Sequence, residues 1–185
     1  MPGDAPPLRF GHIGLYTRNL AAMEAFYTGV LGYQATDRGS FRGRDLVFLS
    51  RDPAEHHQVL LVDGRDDPEG SQVVNQISLR TETLADLREM LARLLAAGVE
   101  DGRIARIDHG NAWSLYFPDP DGNRLEVYLP SPWYAPQPAA EPLDLSQSDA
   151  EIAATTRARF GDQPGFRPAE EWQRDFAAAF AARQG

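Results

Sequence analysis

One pattern of secondary structure occurs twice along the chain, and this duplication limits the possible folds more than any other feature. Each copy predicts a strand, an amphipathic helix and three further strands. The first copy comprises segments 8–17, 20–31, 33–38, 45–50 and 57–63, and the second comprises 73–80, 84–97, 103–108, 112–118 and 124–129. The sequence therefore predicts an α+β fold of two βαβββ modules, at about 8–63 and 73–130, whose sheets enclose a cup with the helices outside.

The helices and turns of both copies have recognisable sequence signals. Apolar residues recur at every third or fourth position, as in Leu84, Leu87, Leu91 and Leu94. Glycines at 29, 32 and 98 are suitable helix stops. The run DPDGN at 119–123 predicts a tight turn between the last two strands.

The composition changes after residue 130. Segment 131–145 is rich in Pro and Ala and predicts an extended arm, and helices are predicted at 149–159 and 169–182. We therefore divide the chain into a paired-module domain, 1–130, and an extension, 131–185. The extension is too aromatic for a solvated tail, so we expect it to dock, on its own core or on a partner subunit. Its aromatic residues are Phe160, Phe166, Trp172, Phe176 and Phe180.

Charge and composition exclude several classes of function. A formal net charge of −9 over 185 residues argues against a nucleic-acid groove, which needs a basic surface. The chain has no cysteine, so any metal must be bound by nitrogen and oxygen ligands. The N-terminus does not have the pattern of a signal peptide, and no apolar run approaches the length of a membrane span. We expect a soluble cytoplasmic protein with a small-molecule ligand and no membrane or nucleic-acid partner.

The four histidines and one late glutamate are the candidates for a metal site. His12 lies in the first predicted strand, His56 and His57 open the fifth segment of the first copy, and His109 precedes a strand of the second. Alternation along a strand turns His12 and Glu126 away from the helix-facing side of their sheets. Neighbouring residues on a strand point in opposite directions, so His56 and His57 cannot both face the cup, and we choose His57.

Two motifs resemble the vicinal oxygen chelate superfamily, which includes glyoxalase I, bleomycin- and fosfomycin-resistance proteins and type I extradiol dioxygenases. They are FYTGVLGY at 26–33 and YFPDPDGNRLEVY at 116–128. The His57 strand, the His109-Gly110 pair followed by Tyr116, and the Trp133-Tyr134 arm are most similar to the short, single-domain extradiol dioxygenases.

This resemblance implies a set of site residues. His12 and Glu126 match metal ligands, and Gln76 stands where the family has its second histidine ligand. His57 matches the acid/base of the pocket, or replaces the missing ligand. His109 and Tyr116 match groups that contact the substrate and the oxygen intermediate. The implied ion is Fe(II), with Mn, Ni, Co or Zn, or no metal, as alternatives.

Three functions are compatible with this set. The first is cleavage of a catechol-type aromatic ring by O2. The second is a glyoxalase-like isomerase or lyase reaction on a hydroxy-carbonyl compound, because Gln76 is an amide ligand. The third is a metal-free protein that binds a small molecule, as resistance proteins of this superfamily do. The resemblance also implies a homodimer.

Overall fold

The structure, a computed structural model, describes residues 10–67 and 74–181. These residues form two compact units. The N-terminal unit contains residues 10–67, 74–77 and 118–124, and the C-terminal unit contains residues 78–117 and 125–181. Leu8, Arg9 and Val73, which open two of the predicted strands, lie outside the described residues. No helix in the described part of the chain is both long and apolar enough to cross a membrane.

The N-terminal unit has the predicted order of strand, helix and three strands. The elements are β1 (Ile13–Thr17), α1 (Leu20–Gly29), β2 (Gln34–Phe41), β3 (Arg44–Ser50) and β4 (Val59–Asp63). The strand order in the sheet is β1-β4-β3-β2, with β1 parallel to β4 and the other pairs antiparallel. Asn19 caps the start of helix α1, because its side chain accepts the N–H of Ala22, and the helix ends before Gly32, which has a φ of 74°.

One face of this sheet is buried under α1. Met23 and Tyr27 of the helix are buried, as are Leu49 of β3 and Leu61 of β4. Alternation turns the neighbouring strand residues to the other face, where Tyr16 remains 59% exposed. The N-terminal unit therefore has an apolar core on one side of its sheet and an accessible surface on the other.

The C-terminal unit repeats this order. Its first five elements are β5 (Ile77–Arg80), α2 (Leu84–Ala96), β6 (Ala105–Asp108), β7 (Ala112–Pro118) and β8 (Arg124–Pro130). The sheet order β5-β8-β7-β6 is that of the first unit, which confirms the predicted duplication. Thr83 and Asp86 form a capping box at the start of α2, so the carboxylate of Asp86 serves as part of the helix cap.

The turn between β7 and β8 forms as predicted and belongs to the N-terminal unit. Asp119 is 4% exposed, and its Oδ1 accepts the backbone N–H groups of Asp121 and Asn123 at 3.0 and 2.8 Å. Burial raises the pKa of the Asp119 carboxyl. Gly122 has a φ of 80°, a conformation that favours glycine.

The extension packs on its own chain, within the C-terminal unit. Its elements are β9 (Trp133–Tyr134), β10 (Glu141–Pro142), α3 (Asp149–Phe160), β11 (Arg167–Pro168) and α4 (Ala169–Ala181). Strand β10 pairs with β6, and Ile152 and Phe160 of α3 are buried. The rings of Tyr134, Trp172 and Phe176 stack in sequence. Ala182 and the side chain of Phe180 lie outside what the structure describes.

Three candidate site residues were wrongly predicted to lie within strands. β1 begins at Ile13, β4 at Val59 and β5 at Ile77, so His12, His57 and Gln76 lie in the segments that precede them. His12 and His57 lie outside their strands because the hydrogen-bonded pairing between β1 and β4 begins only after them. Ile13 pairs with Val59, and the N–H of Ile13 donates to the carbonyl of Gln58, the residue before β4. Both histidines therefore lie where their parallel strands begin.

Candidate active-site residues

The histidines of the N-terminal unit lie close together at the start of β1 and β4. The ring centroids of His12 and His57 are 4.3 Å apart, and Phe48 of β3 contacts His57 edge-on at 5.2 Å. His56 lies on the other side, with its Nδ1 3.0 Å from Nδ1 of His57 and its Nε2 3.6 Å from the carboxylate of Asp37. His57, and not His56, is therefore the residue whose ring contacts that of His12.

The surroundings of His57 favour its neutral form. Burial lowers the pKa of His57, and the neighbouring His12 and His56 lower it further. A neutral imidazole retains a nitrogen lone pair, which it can offer to a metal ion or to a proton. His12 is exposed, and Gln76 is half-buried in the residues before β5. This unit therefore contributes two imidazoles and an amide as candidate ligands.

The C-terminal unit contains a cavity of about 330 Å³. Its lining includes three predicted site residues together with three that sequence analysis had not assigned to the site. These are His109, Tyr116 and Glu126, and Ser78, Asn111 and Gln137. The alternation of side chains along a strand could have identified Ser78, because it is two residues beyond Gln76 and is therefore expected on the same face. Gln137 comes from the extended arm, where no sequence signal marks it.

Glu126 is a buried carboxylate within this cavity. It is 7% exposed, and its Oε2 accepts a hydrogen bond of 2.5 Å from the hydroxyl of Ser78. Strand alternation explains its position, because Leu125 and Val127 on either side are buried in the core. Glu126 therefore faces the cavity, as predicted from its place in the strand.

His109 and Tyr116 form a hydrogen-bonded pair in the same cavity. Nδ1 of His109 is 2.6 Å from the carbonyl oxygen of Ala139, and Nε2 is 3.0 Å from the Tyr116 hydroxyl. A carbonyl can only accept, so Nδ1 carries a proton. In the neutral ring Nε2 then accepts the Tyr116 proton, which leaves the lone pairs of the phenol oxygen facing away from His109. The arm thus fixes the tautomer of the imidazole, and the pair can exchange a proton.

One buried hydroxyl lies close by in β7. Ser114 is fully buried between Ala112 and Tyr116 on the same strand face, and its Oγ has no hydrogen-bond partner among the described residues. A buried hydroxyl without a hydrogen-bond partner lowers the stability of the fold, because its desolvation is not compensated.

The candidate donors suit a divalent cation by type but are divided between the units. His12, His57 and Gln76 belong to the N-terminal unit, and Glu126, His109 and Tyr116 to the C-terminal unit. Within residues 10–67 and 74–181, no three His, Asp or Glu side chains are grouped as a metal ion requires. Imidazole nitrogen with carboxylate and amide oxygen is a donor set that suits Mn, Fe, Ni or Zn.

A family model described as Glyoxalase/Bleomycin resistance protein/Dioxygenase superfamily matches residues 9–127. The chain belongs to this superfamily. The match runs through both βαβββ copies as far as the middle of β8 and does not include the extension, and it agrees with the resemblance seen in the two sequence motifs.

Individual relatives point in the same direction. The chain is 31% identical over 125 residues to biphenyl-2,3-diol 1,2-dioxygenase 2 of Rhodococcus globerulus, a match that covers 65% of this chain and 62% of that protein. The matched region thus spans about three fifths of the relative's length.

The fold is shared with solved structures, including the following two. The chain is similar to a glyoxylase/bleomycin resistance protein/dioxygenase domain from Frankia sp. EAN1pec, with 23% identity, a TM-score of 0.59 and coverage of 68% and 94% of the two chains. It is also similar to the fosfomycin resistance protein FosX of Listeria monocytogenes in complex with Mn(II) and sulfate, with 18% identity, a TM-score of 0.51 and coverage of 65% and 91%. Members of this superfamily therefore include divalent-metal proteins.

Proposed function

We propose that this protein is an extradiol-type dioxygenase, which uses a divalent metal and O2 to cleave a catechol-like aromatic ring. The observation that carries the proposal is the hydrogen-bonded pair of His109 and Tyr116 in the same cavity as the buried carboxylate of Glu126. A carboxylate ligand beside an imidazole–phenol pair provides both metal binding and proton transfer. The 31% identity to a biphenyl-diol dioxygenase supports this substrate class.

In this proposal the metal ligands are His12, Gln76 and Glu126. His57 is the alternative ligand, because its ring contacts that of His12 and its lowered pKa keeps it neutral. A divalent ion held by these residues, Fe(II) in this proposal, would lower the pKa of the diol and provide a route for its electrons to O2.

The other residues position the substrate and carry protons. His57, where it is not a ligand, accepts a proton on its neutral imidazole. Tyr116 accepts a hydrogen bond from a substrate hydroxyl, and His109 takes the Tyr116 proton on Nε2. The carbonyl of Ala139 holds the ring of His109 in the orientation that this transfer requires. The cost of misplacing such a group is large, because proton transfer by a positioned side chain contributes roughly a hundredfold or more to the rate.

The first test is elemental analysis of the protein purified without added metal, followed by removal of metal and reloading with Fe(II). Near-stoichiometric iron, O2 consumption and a yellow ring-fission product from 2,3-dihydroxybiphenyl are expected. The matched variants are His57→Gln, which is expected to lower activity strongly, and His56→Gln, which is expected to leave it nearly unchanged. Equal loss in both variants, or iron without O2 consumption, contradicts the proposal.

A second candidate is favoured by one residue. Gln76 offers an amide oxygen where Fe(II) sites of this type use imidazole, and such a donor is harder and weaker. A glyoxalase-like isomerase or lyase would turn over a hydroxy-carbonyl compound under anaerobic conditions with Ni, Co or Zn. Turnover without O2 would support this function, and strict dependence on O2 would exclude it. A protein that takes up no metal but binds a catechol would be a binding protein of this fold.

A further inference from the structure

The N-terminal unit contains a second cavity, larger than the one beside Glu126. Its volume is about 460 Å³, and all its lining residues belong to that unit. It begins at Gly14 and Tyr16, two and four residues beyond His12 along β1, and extends across Arg44 of β3 to the segment that follows β4.

Arg44 is held at the wall of this cavity by one end of its guanidinium. Its Nη1 donates to the carbonyl oxygens of Asp63 and Gly64 at 2.8 and 2.6 Å. Gly64 permits this approach, because a Cβ at that position would lie 1.9 Å from Nη1. Both protons of Nη1 are thus in use, while Nη2 and Nε of Arg44 have no acceptor among the described residues. These two atoms form the edge that pairs with a carboxylate in bidentate fashion.

Asp67, one of the two aspartates in the lining, is engaged by other arginines and does not compete for this edge. Asp67 accepts two hydrogen bonds from Arg65, at 2.6 and 3.1 Å, and a third contact from Arg18. Three arginines and two aspartates line the cavity, which gives a local charge of +1 in a chain of net charge −9. The lining is therefore locally positive, and Arg44 contributes two donor atoms that have no acceptor among the described residues.

The remaining walls suit an aromatic ring. The guanidinium of Arg44 lies 5.1 Å from the centroid of the Tyr16 ring, which remains 59% exposed, and Leu15, Val74 and Ile77 add apolar surface. We infer that this cavity binds an aromatic carboxylate, with the carboxylate paired to Nη2 and Nε of Arg44 and the ring packed beside Tyr16. This inference does not depend on the proposed metal site.

The test is a ¹⁹F NMR titration of the full chain, freed of metal on a chelating resin so that no ion can bind the probe. The probes are 4-fluorobenzoate and its neutral analogue 4-fluorobenzamide. The carboxylate is expected to bind more tightly than the amide. Arg44→Gln is expected to weaken the carboxylate roughly tenfold to a hundredfold and to leave the amide unchanged, because a hydrogen bond to a charged group is lost.

Arg42→Gln is the matched control. Arg42 is exposed in the β2–β3 turn, and its guanidinium lies 5.1 Å from the Phe41 ring, so it makes the same kind of contact away from the cavity. Tyr16→Ser provides a second test that leaves the hydrogen bonds of Arg44 in place, and it is expected to weaken 4-fluorobenzoate about threefold to tenfold. This variant carries the test if Arg44→Gln does not fold.

Three outcomes would overturn the inference. Equal binding of 4-fluorobenzoate and 4-fluorobenzamide would show that the carboxylate is not recognised. Equal affinity in Arg44→Gln and Arg42→Gln would remove Arg44 from the site. Displacement of 4-fluorobenzoate by an equal concentration of inorganic phosphate would indicate a general anion site in place of an aromatic-carboxylate site.

Discussion

The hydroxyl group of Thr156 is expected to contribute strongly to the packing of α3 on the rest of the C-terminal unit. This residue is fully buried in α3, and its Oγ1 accepts the indole N–H of Trp113 at 2.8 Å and donates to Oδ2 of Asp108 at 2.7 Å. Both partners are buried as well, with 4% and 1% exposure. Thr156→Val removes the hydroxyl and keeps the shape of the side chain.

The magnitude follows from the two partners left behind. A buried indole N–H without an acceptor costs about 1–3 kcal/mol, and a lost hydrogen bond to a carboxylate about 1.5–3 kcal/mol. Thr156→Val is therefore expected to lower the free energy of unfolding by about 2.5–6 kcal/mol. The matched control is Thr155→Val, because Thr155 is half-buried and, among the described residues, its hydroxyl donates one long hydrogen bond of 3.5 Å to Gln147. The control is expected to change stability by less than about 0.5 kcal/mol.

Tryptophan fluorescence during urea unfolding measures this effect, because all three tryptophans, at 113, 133 and 172, belong to the C-terminal unit. A loss below about 1 kcal/mol for Thr156→Val, or equal losses in the two variants, would refute the assigned role of the hydroxyl.

The pH dependence provides a further check on the same variant. Burial raises the pKa of the Asp108 carboxyl, and the hydrogen bond from Thr156 lowers it in part. A carboxyl whose folded-state pKa is raised stabilises the fold at low pH, and this contribution is lost as the pH rises through that pKa. Without the Thr156 donor the pKa of Asp108 is higher still. The loss in the free energy of unfolding caused by Thr156→Val is therefore expected to be larger at neutral pH than at acidic pH.

Four other outcomes follow from the structure and the proposed function. Gln76→His is expected to bind Fe(II) more tightly, on the order of tenfold, in a competition assay with a metal-sensitive dye, and unchanged affinity would place Gln76 outside the ligand set. Tyr116→Phe is expected to lower kcat roughly a hundredfold with little change in KM, and an unchanged kcat would remove the phenol from proton transfer. Gly110→Ala places a Cβ 2.5 Å from that of Ala135 at a φ of 74°, so thermal unfolding should show a loss of about 2–4 kcal/mol that Gly102→Ala, which has open space, does not show. Sedimentation velocity is expected to show a homodimer, and a monomer at all concentrations would exclude it.

The fold could be predicted from the sequence because its signals are local. The apolar spacing of α2 and the capping pair of Thr83 and Asp86 are both contained within one helix and its first turn. The turn at 119–123 is equally local, because Asp119 organises it by bonding the N–H groups that follow. Because both copies have the same order of helix and strands along the chain, their strands are arranged in the same order within each sheet.

The candidate site could be predicted only where alternation along one strand decides the outcome. Glu126 faces the cavity because its two neighbours are buried. By contrast, two partners of His109 come from the arm, 28 and 30 residues away, and Arg44 is held by carbonyls 19 and 20 residues beyond it. These contacts depend on tertiary packing, and nothing in the local sequence records them.

The position of the donors at strand starts bears on the choice between the two proposed enzymatic functions. His12, His57 and Gln76 all lie just before a strand, where the backbone ladder no longer fixes them. A ligand in such a segment can shift by small changes in φ and ψ at lower cost than one inside a strand. The neutral His57 beside His12 can therefore complete an Fe(II) set in place of Gln76, whose amide is a weaker ligand for Fe(II) than an imidazole. The effect of His57→Gln on iron retention thus decides between ring cleavage and the isomerase reaction more directly than any change at Gln76.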